Sequence, residues 1–342
     1  MSFRSSWVSA RVAQDMRQRV SQLARRLDVL AHSGSSDEVE IVYDNRWCPP
    51  AYGDYFLILM LVRFLTLNGL NVRFKVPQHG DYRRDWAILH AIDIDRFTNE
   101  QRLLASRYLP SGIAVFPEQI KDASSHRVSA ALQLFDFEQI TSGYPYYRLA
   151  GGVIVTLITR HSWEIPDGFL LTSQGNSAIP GTTISRPHIS WSIRDSKWEK
   201  SRNSTEAQTL LDLTALRCQF PDVPIHVLGD PRGLEMIGRT FAREGIEWSE
   251  ELVRQPREGF SGAMDSAVSS SFYFQRLGGG LHMVPLFTAN PFLMIHPHRG
   301  DFHFGHGRKI LPWSSQDQQW VASRRDATVL PIEACLPAER CK

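Results

Sequence analysis

The stretch HISWSIRDSKWEKSRNSTEAQ, residues 188–208, decides the fold. Residues 188–193 alternate in polarity and favour extended structure, and Arg194 with Asp195 closes the run where a parallel strand hands over to its loop. Thr205 followed by Gln208 is a capping-box pattern, and the helix it opens carries Leu210, Leu213, Leu216 and Phe220 at helical spacing. A strand, a polar loop rich in anion-binding groups and a capped helix make one βα step of a parallel sheet.

Downstream, the same alternation continues. Strands are expected at residues 224–228 and 246–248, helices at 206–220, 233–243 and 265–277, and two apolar runs at 281–287 and 292–295 follow Gly278, Gly279 and Gly280. Upstream, a strand at 40–43, a polar loop at 44–54, an apolar helix at 55–67 and a strand at 70–76 form a βαβ unit. Thr98 with Gln101 reads as a second capping box that starts a helix reaching Tyr108, residues 113–116 as a short strand, and residues 153–159 as a buried strand. The Gly, Ser, Thr and Pro content of residues 168–185 marks a boundary. The expected organisation is an N-terminal helix (1–37), a first Rossmann-like domain (38–175), a second (176–312), and a C-terminal helix and tail (313–342).

At 342 residues and 42% hydrophobic, the chain is long enough for two α/β cores. Its 38 basic and 36 acidic side chains nearly cancel, so the global positive field of a nucleic-acid binder is missing. Cys48, Cys218, Cys335 and Cys341 are too few and too scattered for a disulfide framework or a metal set, which fits a reducing cytoplasm. Neither a signal-peptide core nor a run near the ~18 apolar residues of a membrane span is expected. Val12, Met16, Val20, Leu23, Leu27 and Leu30 repeat at helical spacing among six arginines between Arg4 and Arg26. That basic amphipathic helix either lies on the protein's own surface or makes peripheral contact with anionic lipid at the inner membrane face; its removal is expected to leave the fold intact.

In a doubly wound sheet, ligands lie outside the carboxyl ends of the strands. Arg194, Arg202, Asn203 and Ser204 fall in that zone, where a guanidinium can hold a phosphate through two parallel hydrogen bonds. The alternative is an ion pair of Arg194 with Asp195 or Glu199 beside a plain helix cap. Asp230, after the next strand, is either a ribose acceptor or a turn residue. Gly279 offers backbone N–H groups to a ligand. In the first half, Arg46, Tyr52 and Gly53 stand at the carboxyl end of the first strand, before the long helix, and Asp54 is either a base for an acceptor hydroxyl or a helix cap. His296, His298, His303 and His306 raise a metal site or an irregular loop, in a spacing that matches no metalloenzyme signature. The GFSGAMDS segment lacks the G-x-S-x-G order of a hydrolase elbow, and neither G-x-G-x-x-G nor a Walker lysine is present.

Arg194 at a strand end, the Arg-Asn-Ser triplet, the Leu-Gly-Asp strand end and GGGLHMVPLF together resemble the donor-binding half of B-type (GT-B) glycosyltransferases, fucosyltransferase-like and surface-polysaccharide enzymes nearest among them. YDNRWCPPAYGDYFLILMLVRFL looks like their first strand, loop and helix. The resemblance implies an α/β fold of two Rossmann-like domains with parallel sheets facing across a cleft. It also implies a nucleotide-sugar donor, a glycan or lipid-linked acceptor, and chemistry without a metal, in keeping with the missing Asp-x-Asp motif. The paired arginines usual at the fucosyltransferase strand end are not present, because Asp195 follows Arg194. Two other readings stay open: a non-catalytic nucleotide- or sugar-binding module on the same fold, and a metal-dependent enzyme using the His296 to His306 loop.

Overall fold

The computed structural model describes residues 10–34, 38–43, 45, 52–77, 93–117, 149–171, 187–195, 203–254, 259–276, 281, 284, 287–288 and 292–295. The protein is α/β, with two parallel sheets in two compact units that divide between Phe169 and Leu170.

In the first unit, β1 (Val39–Val42), β2 (Val72–Lys75) and β3 (Ala114–Val115) form a parallel sheet in that order. Val39 is level with Val72, and Phe74 with Ala114. The crossover from β1 to β2 is α2 (Tyr52–Leu67), in which Tyr55 to Val62, Phe64 and Leu65 are all buried. A helix apolar on every side must be covered on every side. α3 (Ile94–Tyr108) and α4 (Leu149–His161) both pack on it.

α4 overturns the expected strand at 153–159. Val153, Ile154 and Leu157 are buried, as a core strand's residues would be, and a continuous apolar run has no period that separates the two structures. The longer segment packs between α1 (Ala10–His32) and α2, and this tertiary burial outweighs the β preference of Val and Ile. α3 also starts earlier than expected. Asp93 caps it, its side chain accepting from the Arg96 N–H at 3.1 Å, while Thr98 lies inside the helix. Gln101 is spent elsewhere: its amide and that of Asn45 exchange two hydrogen bonds, at 3.0 and 3.2 Å, tying the end of β1 to α3.

α1 is part of this unit's core. Val20, Ala24 and Leu27 are buried, and the helix lies along α4. Asp28 clamps the pair, accepting from Trp163 Nε1 at 2.8 Å and lying 3.1 Å from His161 Nδ1. The Trp163 hydrogen bond, with His161 and His32 nearby, holds the Asp28 carboxyl below its usual range despite partial burial. This packing runs against the expectation that the helix could be removed without harm to the fold, because its apolar stripe covers α4. No helix among the described residues is long and apolar enough to cross a membrane.

The second unit holds β4 (Ile189–Ile193), β5 (Ile225–Gly229), β6 (Leu252–Arg254), β7 (Phe272–Arg276) and β8 (Phe292–Ile295), all parallel, in the order β6-β5-β4-β7-β8. With β4 as the first strand, that is the 3-2-1-4-5 order of a doubly wound fold, in which the chain reverses direction across the sheet between β4 and β7. One face is apolar. Ile189, Trp191 and Ile193 pack with Leu213 and Leu216 of α5 (Glu206–Gln219) and Ile237 and Phe241 of α6 (Pro231–Arg243).

The other face carries a polar row. Ser190, His226 and Tyr273 stand level on β4, β5 and β7, with His188, Ser192 and Gln275 on the same side, under α7 (Gly259–Ser269). Ser266 of α7 is the hub. Its carbonyl oxygen accepts from Ser190 Oγ at 2.9 Å and lies 3.0 Å from His188 Nε2, while its Oγ is 3.2 Å from His226 Nδ1. The two imidazoles stack with centroids 4.0 Å apart.

Two expected elements moved. The helix placed at 265–277 is α7 followed by β7, because the Ser269 and Ser270 hydroxyls bond back to Asp265 O (2.7 Å) and Ala267 O (2.8 Å) and the aromatic run Phe272 to Phe274 then extends. The strand placed at 246–248 is not one: Ile246 and Trp248 pack against the core from an irregular segment, and β6 forms later, with Leu252 level with Ile225. Cys218 is disulfide-bonded, against the expectation of scattered, unpaired cysteines in a reducing cytoplasm, because a pairing through space leaves no mark in sequence spacing.

Leu27→Ala should lower the unfolding free energy by about 3 kcal/mol in a urea titration, the cost of a cavity at a closed helix contact. A second expectation concerns pH. Burial first, and the stacked His188 ring second, push His226 down to about 4. The unfolded chain, titrating near the usual ~6.5, takes up the proton first as pH falls. Stability from this site should thus be complete above roughly pH 6.5 and decline toward pH 4, and His226→Gln should flatten that part of a urea-midpoint profile.

Candidate functional site

The carboxyl end of β4 is built by two glycines. A Cβ on Gly229 would lie 2.6 Å from the Ile193 carbonyl oxygen, and one on Gly233 would lie 3.3 Å from Arg194 Cα and from the Asp195 nitrogen. Their bare backbone lets the turn after β5 close directly onto the strand end of β4. Asp230 locks the contact from between them. Its Oδ1 accepts from the Gly233 N–H at 2.8 Å, which caps α6, and its Oδ2 accepts from the Asp195 N–H at 3.0 Å.

Asp195 is the next joint. Asn203 Nδ2 donates to its Oδ1 at 2.9 Å, Arg232 Nη2 donates to its Oδ2 at 3.2 Å, and Arg232 Nε donates to its backbone oxygen at 3.2 Å. The Ser204 N–H closes the loop on the Arg194 carbonyl at 2.9 Å. Thr205 and Gln208 then form the expected capping box, each side chain satisfying the other's backbone N–H.

At the centre lies Arg194, only 9% exposed, on the strand that flanks the reversal of the sheet order. Its Nη1 is buried without a hydrogen bond, while other interactions engage the residue. A buried cation at the carboxyl end of the first strand stands where doubly wound sheets take their ligands. Such a group attracts an anion more strongly than a solvated one at the same distance, because the surrounding dielectric is lower.

The network redistributes the roles expected from sequence. Asp195 takes Arg232 as its ion-pair partner, in place of the Arg194 that the sequence alternative offers. Asp230 uses both carboxylate oxygens to hold backbone, so its turn role is the one the geometry provides for. Asn203 braces Asp195, and Ser204 is buried beside Arg194. Arg202, Gly279, Arg46 and the four histidines from His296 to His306 lie outside the described residues. Among the described residues, no group of three His, Cys, Asp or Glu side chains could hold a metal.

On the first unit, Tyr52, Gly53 and Asp54 belong to the opening turn of α2, which starts three residues before the expected 55. Asp54 is therefore not the cap residue; it sits inside the turn, where the helix dipole favours negative charge. Tyr52 meets Phe97 edge-on at 4.9 Å, and burial, then the nearby Glu100 carboxylate, push its phenol well above the usual range. Sequence reading missed Arg232. The signal was present in Gly229-Asp230-Pro231-Arg232-Gly233, since Pro at the first helical position after a strand-end Asp puts the next side chain at the sheet's carboxyl edge.

No family model and no curated protein matches the chain. Among solved structures it is similar to E. coli heptosyltransferase WaaC with ADP, at a TM-score of 0.36 and 14% identity over 76% of this chain and 87% of that one. It is also similar to E. coli heptosyltransferase WaaC with ADP-2-deoxy-2-fluoro heptose, at a TM-score of 0.37 and 13% identity over 76% of this chain and 88% of that one. At these values the likeness carries no argument about the site, which is read from its own residues.

Gly229→Ala should cost about 1–3 kcal/mol, because the new methyl meets a backbone oxygen that has no room to yield. Gly238, inside α6 with nothing within 4 Å of a Cβ, is the control: Gly238→Ala should stabilise by roughly 0.5–1 kcal/mol. Urea midpoints for the two variants moving in the same direction would contradict the close-approach account.

Proposed function

We propose that the protein is a glycosyltransferase that moves a sugar from a nucleotide-sugar donor to a hydroxyl of a glycan or lipid-linked acceptor. The observation that supports this reading is the placement of Arg194, a buried guanidinium at the carboxyl end of the first strand of a 3-2-1-4-5 sheet, beside the chain reversal. The strand-end resemblance to B-type enzymes agrees with it.

In this reaction, the bond between the sugar's anomeric carbon and the diphosphate oxygen breaks, and its electron pair leaves with the diphosphate. The acceptor oxygen bonds to the anomeric carbon and its proton passes to a base. Arg194 meets the charge that grows on the leaving group through two parallel hydrogen bonds. Arg202 and Ser204 assist, while Asn203 and Asp230 hold the loop and α6 in position. Asp54 is the candidate base, with Arg46, Tyr52 and Gly53 on the acceptor side and Gly279 at the donor.

Charge neutralisation by guanidinium makes a divalent cation unnecessary in this reading. Lipid contact at the inner membrane face would use the side of α1 that bears exposed Arg25 and Arg26, since Val20, Ala24 and Leu27 are covered.

Thermal stabilisation by a panel of ADP-, GDP- and UDP-sugars, with and without EDTA, tests the reading, because a ligand that binds only the folded state raises its stability. One donor class should raise Tm equally in both conditions. Arg194→Lys should weaken nucleoside-diphosphate binding about tenfold by calorimetry, since charge is kept and the two-pronged geometry lost. No stabilisation by any donor would overturn the assignment, and stabilisation and turnover that both vanish in EDTA would transfer it to the histidine-rich loop.

A further inference from the structure

We infer that Arg232 is a second diphosphate-binding cation and that Asp195 holds it in place until the ligand arrives. The inference rests on the donor-site reading of Arg194 and extends it to a residue on a different element.

Arg232 stands in the first turn of α6, one residue before Gly233, whose backbone is pressed against Arg194. The guanidinium reaches back over the Arg194–Asp195 turn and donates to both the carboxylate and the backbone oxygen of Asp195, each at 3.2 Å. The pair is open to solvent, with Arg232 46% exposed and Asp195 25% exposed. An ion pair this exposed is worth only ~0–1 kcal/mol, so a doubly charged ligand can take the guanidinium from it at little cost. Asp195 is not left bare when Arg232 turns away, because Asn203 still donates to its Oδ1 at 2.9 Å.

The charge pattern gives the pair its purpose. Without Arg232, the carboxylate of Asp195, directly after Arg194 in the chain, would repel a diphosphate. With Arg232 on it, that charge is offset, and the same guanidinium is held within a side chain's reach of the Arg194 strand end. Asp195 acts as a positioning residue for Arg232 and as its competitor for the ligand.

Calorimetric titration of the full-length protein with ADP, GDP, UDP and inorganic pyrophosphate, and with the matching nucleoside monophosphates, tests this. Arg232→Ala should weaken diphosphate binding about tenfold while changing monophosphate binding much less, because the second phosphate is what the extra cation reads. Arg232→Lys should restore part of the loss. Asp195→Asn should tighten diphosphate binding several-fold, since it removes the competing charge and keeps an acceptor for Asn203. If Arg232→Ala fails to fold, as judged by circular dichroism and urea midpoint, Arg232→Gln gives the same reading. Unchanged diphosphate affinity in the Arg232 variants, equal losses for mono- and diphosphate, or weakened binding in Asp195→Asn would each overturn the inference. Wild type that binds no diphosphate overturns the donor-site reading itself; binding that responds to Arg194→Lys and not to Arg232→Ala overturns the role of Arg232 alone.

Discussion

The second unit depends on how closely the turn after β5 approaches the end of β4. Side chains at positions 229 and 233 would hold the two apart, since a single methyl at Gly229 would sit 2.6 Å from the Ile193 oxygen. Once the backbones touch, Asp230 can cap α6 and bind the Asp195 N–H with the same carboxylate. The cap fixes the direction of α6, which carries Ile237 and Phe241 into the apolar face of the sheet. The bond to Asp195 fixes the strand end, and with it Arg194. One contact thus sets both a hydrophobic core and a cation's position.

The two faces of the same sheet are held by different physics. On the side of α5 and α6, burial of Trp191, Phe241 and their neighbours supplies non-directional stability. On the side of α7, a parallel sheet that would ordinarily be apolar carries His188, Ser190, Ser192, His226, Tyr273 and Gln275. Those groups must be satisfied where they stand, and Ser266 and the Tyr273 to Gln275 hydrogen bond of 2.5 Å do much of that. Directional bonds fix the seat of α7 in a way that apolar contact alone would not, while leaving that face sensitive to protonation.

Much of this architecture could be read from sequence where a local signal had one meaning. The strand before Arg194, the capping box at Thr205 and Gln208, and the βαβ unit around α2 each combine a period with a cap or breaker. Reading failed where a local pattern fits two structures. Residues 153–159 are apolar without a period, and only packing between α1 and α2 makes them helical. Thr98 and Gln101 match a capping box, yet Gln101 is drawn to Asn45, 56 residues away, and Asp93 takes the cap. The Phe272 to Phe274 run fits the end of a helix as well as a strand until Ser269 and Ser270 bond back to their own turn. At the candidate site, Arg194 was legible because strand ends carry a prior for function. For Arg232 the sequence carried a signal of its place at the sheet edge and none of its partner, which lies 37 positions away.

The acidic residues at this strand end separate by what already neutralises them, and that determines what the arginines can do. Asp230 is offset by two backbone N–H groups and the positive end of α6, so it needs no cation. Asp195 lies outside that protection and takes Arg232 at its exposed edge. Among the described residues, one acid is thus offset without using an arginine, the other takes an arginine that solvent can reach, and the loop closes around the buried Arg194. The placing of charge at the end of β4 therefore follows hydrogen-bond geometry, in a chain whose overall charge is only +2.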